Sequence, residues 1–489
     1  MALSVVVFSS SVFAQKFIGS PAQDLFDQAA FFLETQYFGP SQVNMLSLIA
    51  KYQLEVDKVC ATAQLQCSYE TVEFVVATMM DELQDLHAFY MSPAVLAAEN
   101  QQSTGTVTTP SPRLGFSHAA FAEYQKQIVP IGGFSPALLE LIAKKEVVLQ
   151  GFDRLVLNVV AGSPAEKAGF RYGDRWIGYN NTYFSSFTAV TDYATFLSAL
   201  TSKTQAREKL IFHFLRGSSK TPVNIEVNGE IINAAPFPTM FIDENNVAMI
   251  QITDFLVLGV AQQVHNLVKI AMDKEVKAIM LNLRGSRGGY ASESLMSLGA
   301  FMDNPEPIRF VPRYNPDKNT NEEIWLKETG TYVFRKLSGV ELGRTSVKNP
   351  VLYKGALGLL VDGGCASACE YLVSRVQRAK RAPITGLTTT GIGDTNTFRF
   401  ALANGGAASM PTVRAFWTDG TPLPSKIQPD FMIPDAEYAL FNTGRDQGVD
   451  RVLENLGIKL SSVSHAPILR VLPTWGAFEA RLFRRTMSF

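Results

Sequence analysis

The sequence predicts a multi-domain α/β protein, on two observations. The chain has 489 residues, more than one ordinary domain, and its 46% hydrophobic and 18% charged residues allow a sizeable buried core. From about residue 245, short apolar runs of strand type alternate with segments of helical periodicity. Such alternation is typical of a layered core with largely parallel strands.

The net charge and the hydropathy of the chain bear on binding to nucleic acid and on association with membranes. The formal net charge is −1 at pH 7, so the total gives no attraction to nucleic acid or to an anionic membrane surface. No segment holds about 18 or more consecutive apolar residues, so no transmembrane helix is predicted. The oligomeric state is left open.

The first 14 residues are predicted to be a signal peptide. A short apolar run ends in small residues, and Val12 and Ala14 stand where a signal peptidase would cleave after Ala14. A basic n-region is absent, and a buried first helix or strand is the alternative. A signal peptide implies export to the periplasm or the extracellular space, where disulfides persist.

The four cysteines form two close pairs along the chain. Cys60 and Cys67 are predicted to form a local disulfide. Cys365 and Cys369 would share one face of a helix at i, i+4, where a disulfide is strained, so they can also be free and buried. A zinc site would need more ligands than the neighbouring sequence offers, and no metal is predicted.

Residues 15–105 are predicted to form a helical N-terminal region. Apolar residues recur at helical spacing after Ser20 or Asp24, and a second helix opens near Ser68 with acids in its first turn. The polar stretch "QQSTGTVTTPSPR" then marks a boundary, because it is rich in Thr, Ser and Pro.

Residues 106–240 are similar in order to a PDZ domain. A β-branched strand leads to a turn at Gly162–Ser163, and Pro164 and Gly169 bracket one short helix. The preceding "PRLGF" is similar to the loop before the peptide-binding strand of PDZ domains. By this resemblance, backbone N–H groups at Leu114, Gly115 and Phe116 would capture a C-terminal carboxylate. An insertion over residues 117–150 departs from the PDZ pattern.

Residues 241–440 are predicted to be the α/β core, and residues 441–489 a C-terminal tail with one helix. In open α/β sheets, functional groups stand in the loops after the strands. Two glycine-rich loops occupy such places, and they read "LRGSRGG" and "DGGCAS".

Ser367 stands in the second of these loops, at a strand-to-helix turn. Gly363 and Gly364 allow a sharp turn, and Ala366 and Ala368 keep the surroundings small. A hydroxyl at a helix N-terminus favours developing negative charge, and the next N–H can donate to an oxyanion. By itself the pattern also fits a helix cap or a packing serine. In the first loop, Gly288 and Gly289 can expose N–H groups, or they form a plain tight turn.

Taken in order along the chain, these pieces resemble the C-terminal processing peptidase, or tail-specific protease, family of serine peptidases. The resemblance covers roughly residues 70–435 and implies a PDZ-like β-rich domain and a core of the processing-peptidase (crotonase-like) type. It further implies that Ser367 is the nucleophile and that Gly288 and Ala368 supply the oxyanion-hole amides. The matching segments read "DLHAFYMSP", "GSPAEKAGFRYGD", "LNLRGSRGG", "GGCASACEYLVSRVQRAKRAPITG" and "IQPDFMIPD".

One position departs from the family. The bacterial processing branch has a lysine base in a "G-K-G" turn, which here reads "TTTGIGDTN" and places Ile392 at the base position. Isoleucine cannot accept a proton. A second branch, similar to the tricorn core protease, uses a histidine that matches His87, and a neutral imidazole is a suitable base. His87 can equally be a histidine at a helix end that bonds to backbone.

A carboxylate is expected to orient the imidazole. Asp394, Asp85 and Asp430 are the candidates, and Asp394 is preferred because it lies two residues after Ile392.

The sequence thus predicts an exported serine endopeptidase that cleaves polypeptides near C-termini held by the PDZ-like domain, without a cofactor. The alternative is an inactive relative that binds peptides or acts as a scaffold. A site based on Cys365 or Cys369 is disfavoured because no histidine is adjacent in sequence.

Overall fold

The computed structural model describes most of the chain between residues 19 and 471. The predicted signal peptide at 1–14, most of the insertion at 117–150 and much of the tail at 441–489 lie outside the described residues. Within the described part, no helix is both long enough and apolar enough to cross a membrane. The described residues are 19–103, 112–120, 154–159, 163–171, 174–187, 190–215, 221–231, 237–243, 245–433, 447–459 and 469–471.

The chain divides into two compact units. The first draws on residues 1–100, 309–321 and 394–422, and the second on residues 101–308, 322–393 and 423–489.

Three helices build the first unit: Pro21–Gln36, Met45–Cys60 and Tyr69–Asp81. The first begins as the sequence predicts, because the side chain of Ser20 accepts a hydrogen bond from Gln23 N at 3.1 Å. The buried faces of the helices pack together, and Cys60 and Cys67 are joined by a disulfide. A further helix spans Pro93–Ser103.

An antiparallel sheet completes the first unit. Its long strand, Ala407–Phe416, pairs with Phe89–Met91, with Thr395–Ala401 and with Ile308–Pro312. Leu402, Ala408 and Met410 contribute to the same buried cluster as the helices. The short helix Pro316–Asn319 also belongs to this unit.

The β-rich region of the second unit has an aromatic core around Trp176 and Phe212. Its antiparallel sheet runs in the order Phe116–Ala120, Arg154–Val159, Arg175–Tyr179, Lys209–Leu215, Val223–Asn228, with Thr182–Tyr183 paired to Arg175–Tyr179. A separate two-stranded ladder joins Pro112–Arg113 to Glu230–Ile231. The helices are Val190–Gln205 and Pro164–Ala168.

The short helix Pro164–Ala168 has the ends that its sequence predicts. Ser163 caps it by accepting a hydrogen bond from Glu166 N at 3.2 Å. Gly169 ends it in the left-handed conformation, with φ of 95°, which a glycine adopts without steric cost.

The core of the second unit is a mainly parallel sheet, which confirms the predicted α/β class. Every residue of Ala278–Asn282, a middle strand, is buried, as expected for a strand covered on both faces. The strand order is Phe431–Met432, Ile384–Gly386, Ala356–Val361, Ala278–Asn282, Val247–Gln251, Thr239–Ile242, Leu469–Val471, and the last two strands are antiparallel to their neighbours. The helices of this core are Val260–Asp273, Ala291–Leu298, Ala368–Arg378 and Gln447–Asn455.

Three further strands lie beside helix Ala291–Leu298, and one of them contributes Glu323 to a buried ion pair. The guanidinium of Arg375 pairs with the carboxylate of Glu323, and both side chains are fully buried. The strands are Asn321–Leu326, Thr331–Lys336 and Glu341–Ser346. The parallel ladder from Ala278–Asn282 to Ala356–Val361 brings the two glycine-rich loops to one edge of the main sheet.

Candidate active site

Ser367 has an unusual backbone conformation. Its φ is 54° and its ψ is −117°, and the helix Ala368–Arg378 begins at the next residue. Positive φ is uncommon outside glycine and carries a steric cost that the surroundings must offset. The side chain is half-buried. A strained serine at a strand-to-helix turn is the arrangement that exposes a nucleophilic hydroxyl.

Gly288 lies directly against the Ser367 turn. Its φ is 82°, and a Cβ added to it would lie 2.8 Å from Ala368 N and 2.9 Å from Ser367 Cβ, and closer still to the carbonyl oxygen of Ala366. No side chain fits there, so only glycine allows this approach of two backbones. The structure therefore brings Gly288, Ser367 and Ala368 together.

A buried aspartate, Asp362, ties the two glycine-rich loops to each other. Its Oδ1 accepts hydrogen bonds from Gly285 N and Gly364 N, both at 2.8 Å. A further bond, from Ala366 N to the carbonyl oxygen of Ser286 at 3.0 Å, joins the same loops. The sequence analysis did not single out Asp362, although an acid between a buried strand and a Gly-Gly turn was a visible signal.

The carboxylate of Glu370 accepts hydrogen bonds from both the Ser367 turn and the turn that holds Ile392. Oε2 accepts hydrogen bonds from Ser367 N at 2.8 Å and from Ile392 N at 3.0 Å, so the two amides share one oxygen. Oε1 accepts from Thr389 Oγ1 at 2.6 Å and from Gly391 N at 2.8 Å. Burial raises the pKa of Glu370 to about 7, although these hydrogen bonds act in the opposite direction.

The turn that holds Ile392 therefore lies beside the serine, as the family pattern implies. A lysine that the sequence analysis missed lies across this turn: a Cβ on Gly391 would meet Lys426 Cε at 2.5 Å and Lys426 Cγ at 2.6 Å. Lys426 is exposed. Backbone hydrogen bonds align its segment with the turn, from Gly393 N to Ser425 O at 3.0 Å and from Thr389 N to Ile427 O at 3.1 Å.

His87 belongs to the first unit, whereas Ser367 belongs to the second. His87 is buried, and its Nδ1 lies 2.8 Å from Thr395 Oγ1. Burial lowers the pKa of the imidazole to about 4, so the ring is neutral at pH 7.

A hydroxyl stands next to the imidazole of His87, where we expected a carboxylate. Thr395, which makes this contact, directly follows the preferred Asp394. Asp85 instead accepts a hydrogen bond from the backbone N of His87 at 2.9 Å and one from Tyr37 Oη at 2.8 Å. Burial raises the pKa of both Asp85 and Asp394.

The third candidate carboxylate, Asp430, lies in the second unit. Its Oδ2 accepts a hydrogen bond from Ile384 N at 2.9 Å, at the first residue of the strand Ile384–Gly386 in the main sheet.

Cys365 and Cys369 form a disulfide around Ser367. The two cysteines do not share one helix, because the helix begins only at Ala368 and Cys365 lies in the preceding turn. Both cysteines are fully buried, and none of the cysteines in the described chain is free.

The predicted carboxylate-binding loop packs on the short helix Pro164–Ala168. The carbonyl oxygen of Leu114 accepts from Ala165 N at 2.9 Å, and that of Gly115 accepts from Ser163 Oγ at 3.2 Å. Phe116 opens the outermost strand of the described sheet. An outermost strand leaves one edge available for pairing with a peptide.

Comparison with known proteins identifies the family. The sequence profile of peptidase family S41 matches residues 246–433, which span both glycine-rich loops and the turn at Ile392. This segment of the chain is similar to the peptidases of family S41. This confirms the expected family of C-terminal processing, serine-type peptidases.

The individual relatives of this chain are distant in sequence. The carboxy-terminal processing protease CtpA of Bacillus subtilis (strain 168) is 23% identical over 331 residues, which cover 63% of this chain and 61% of that protein. The photosystem II D1 C-terminal processing protease has 16% identity, a TM-score of 0.47 and coverage of 88% and 96% of the two chains. A putative S41 protease from Bacteroides fragilis NCTC 9343 has 12% identity, a TM-score of 0.48 and the same coverage.

Proposed function

We propose that this chain is an exported serine endopeptidase that cleaves polypeptides near their C-termini. The observation that carries the proposal is the contact of Gly288 with the strained Ser367 turn. This contact supports a site in which the Ser367 hydroxyl lies near two candidate oxyanion amides, those of Gly288 and Ala368. Acyl transfer requires a nucleophile and hydrogen-bond donors that stabilise the oxyanion of the tetrahedral intermediate.

In the proposed reaction, Ser367 Oγ attacks the scissile carbonyl carbon. The carbonyl oxygen becomes an oxyanion that accepts hydrogen bonds from the amides of Gly288 and Ala368. Collapse of the tetrahedral intermediate breaks the C–N bond and leaves an acyl ester on Ser367. The leaving nitrogen takes the proton that the base accepted from Ser367, so the C-terminal fragment departs as an amine. Water then hydrolyses the ester and restores the hydroxyl.

The proton of Ser367 needs an acceptor, and we retain His87 as the proposed base. Its imidazole is neutral at pH 7 and so can accept a proton, although burial lowers its pKa to about 4 and makes it a weaker base than an ordinary imidazole. In this proposal, Thr395 replaces Asp394 as the group that orients the ring. Lys426, across the turn that lacks the family lysine, is the second candidate.

Substrate capture and export are parts of the same proposal. The loop at Leu114, Gly115 and Phe116 would bind the C-terminal carboxylate, and the exposed strand edge would pair with the peptide backbone. The two disulfides support an oxidising compartment, because such bonds persist mainly outside the cytosol.

Labelling with a fluorophosphonate probe tests the nucleophile. We expect one adduct on Ser367 by peptide mapping, and no adduct or peptide cleavage for Ser367→Ala. Ser374→Ala is the matched control, since Ser374 is a buried serine of the same helix whose hydrogen bond among the described residues goes to Tyr371 O at 3.1 Å, within that helix. An unlabelled Ser367 in the folded parent would favour the alternative that Ile392 motivates, an inactive relative that holds peptides.

Two further comparisons test the base and the substrate. Labelling should slow strongly in His87→Asn and persist in Lys426→Ala, and the reverse result would transfer the role of base to Lys426. A peptide with a free C-terminal carboxylate should have a lower KM than its carboxamide. Equal KM values would remove the carboxylate-binding role of residues 114–116.

A further inference from the structure

The disulfide between Cys365 and Cys369 encloses the proposed nucleophile. Ser367 is the middle residue of the five-residue segment that the bond closes, and the two Cα atoms lie 5.5 Å apart. The cysteines are fully buried, whereas Ser367 between them retains partial exposure. The bond therefore lies beneath the turn and presents its central residue outward.

Besides the disulfide, the middle residue is held by the close approach of Gly288 and by a capping box with Glu370, in which the Ser367 side chain accepts from the backbone N–H of Glu370. The N–H of Ser367 donates to Glu370 Oε2 at 2.8 Å, and its carbonyl oxygen accepts from Tyr371 N at 3.1 Å. Both contacts are also compatible with an ordinary helix start. They therefore do not by themselves require the positive φ of Ser367, 54°.

A covalent link from residue 365 to residue 369 restricts the same backbone angles directly. A non-glycine residue relaxes towards negative φ unless its surroundings over-determine it. Such relaxation would turn both Ser367 Oγ and the N–H of Ala368 away from the Gly288 amide. The disulfide opposes this rotation, because the short loop that it closes has few alternative conformations.

We infer that the Cys365–Cys369 disulfide is a positioning element of the active site, and that the peptidase is fully active only when this bond is oxidised. This inference rests on the proposed function of Ser367. Reduction by a dithiol would break the S–S bond. The two cysteines would gain two electrons and two protons as thiols, and the dithiol would become a disulfide.

The other disulfide provides a matched control. Cys60 and Cys67 are also fully buried and close a similarly local loop, but they lie in the helical region of the first unit. Loss of either bond should lower the thermal midpoint, because each constrains the unfolded chain. Only loss of Cys365–Cys369 should change the chemistry at Ser367.

The test compares two double variants, Cys365→Ala/Cys369→Ala and Cys60→Ala/Cys67→Ala, with the parent. Fluorophosphonate labelling is measured as a function of probe concentration, to separate probe affinity from the rate constant of the bond-forming step. For the first variant we expect that rate constant to fall roughly ten- to a hundredfold with probe affinity unchanged, as for a misplaced reacting group. For the second we expect both quantities to match those of the parent.

A second measurement covers the case in which the first variant does not fold. The parent is treated with graded dithiothreitol, labelled, alkylated and digested with trypsin. The peptide from Gly355 to Arg375 contains both cysteines and Ser367, so one mass spectrum reports redox state and adduct together. We expect the adduct to be concentrated in the disulfide form, and reoxidation to restore labelling.

The outcomes separate this inference from the proposed function. A parent without any Ser367 adduct contradicts the proposed function. A labelled parent whose adduct is equally frequent in reduced and oxidised peptides, or a folded Cys365→Ala/Cys369→Ala variant with the parent's rate constant, overturns the inference alone.

Discussion

Replacing Gly288 by alanine tests whether the close approach of the two glycine-rich loops creates the site. The added methyl would lie 2.8 Å from Ala368 N, 2.9 Å from Ser367 Cβ and nearer still to the carbonyl oxygen of Ala366. All three atoms are backbone or directly attached to it, so no flexible side chain can move aside. The loops must therefore separate.

The size of the effect follows from these distances. Restoring an ordinary carbon contact of about 3.5–4.0 Å requires a separation on the order of 1 Å. A displacement of about 1 Å at a reacting centre can cost about 10²-fold in rate, and loss of one oxyanion donor costs about 10²–10³-fold. We expect Gly288→Ala to lower kcat for peptide cleavage and the fluorophosphonate rate constant by at least about 10²-fold.

Gly339→Ala is the matched control. Gly339 has φ of 91°, close to the 82° of Gly288, but a Cβ there would meet no atom within 4 Å. It therefore isolates the cost of placing alanine in the left-handed region, about 1–2 kcal/mol, without a steric clash. We expect this variant to lose stability in urea unfolding and to retain the kcat of the parent.

The reasoning is refuted if folded Gly288→Ala cleaves and labels as fast as Gly339→Ala. Such a result would mean that the amide of Gly288 does not contribute to the oxyanion hole and that Ser367 tolerates a displaced neighbour. Circular dichroism of both variants verifies that the comparison is between folded proteins.

Three other perturbations have defined outcomes. Glu323→Ala leaves the buried charge of Arg375 unpaired and should cost about 3–5 kcal/mol in urea unfolding, against less than about 1 kcal/mol for Glu341→Ala in an exposed pair; equal losses would contradict the burial argument. Burial lowers the pKa of His87 from 6.5 to about 4. As the pH falls from 6.5 to 4, only the unfolded chain takes up this proton, so the free energy of unfolding of the parent should fall by about 3 kcal/mol. The same pH dependence in His87→Asn would contradict this assignment to His87. Glu370→Ala removes the acceptor of four donors, one of them buried and three half-buried, and should cost at least about 2 kcal/mol and slow labelling, and a variant with unchanged labelling would show that Glu370 does not position the site.

Local spacing in the sequence predicted local structure well. Ser20 before an apolar periodic run marked the start of the first helix, and Gly169 marked the end of the short helix at Pro164–Ala168. These features depend on backbone groups within a few residues, which the sequence displays directly. The alternation of strand and helix patterns likewise predicted the parallel core, because buried strands require continuous apolar runs.

Contacts between distant segments were not predictable in the same way. The four donors around Glu370 come from the Ser367 turn and from Thr389, Gly391 and Ile392. No periodicity links these positions, so only the packed chain shows that one carboxylate joins them. The neighbour of the His87 ring is a similar case, because Thr395 contacts the ring and the adjacent Asp394 was expected there.

The residue types of this chain by themselves predicted its fold class, because apolar patterning is a property of neighbouring residues. The order of its short motifs, through its resemblance to a known family, pointed to the family and to the candidate nucleophile. Only the tertiary structure decided that Ser367 has a positive φ, that Cys365 and Cys369 are bonded around it, and that Gly288 lies against it. These three features depend on how loops separated by up to 79 positions in the chain pack at one sheet edge. Packing between such distant segments is set by the whole core, and no short stretch of sequence encodes it.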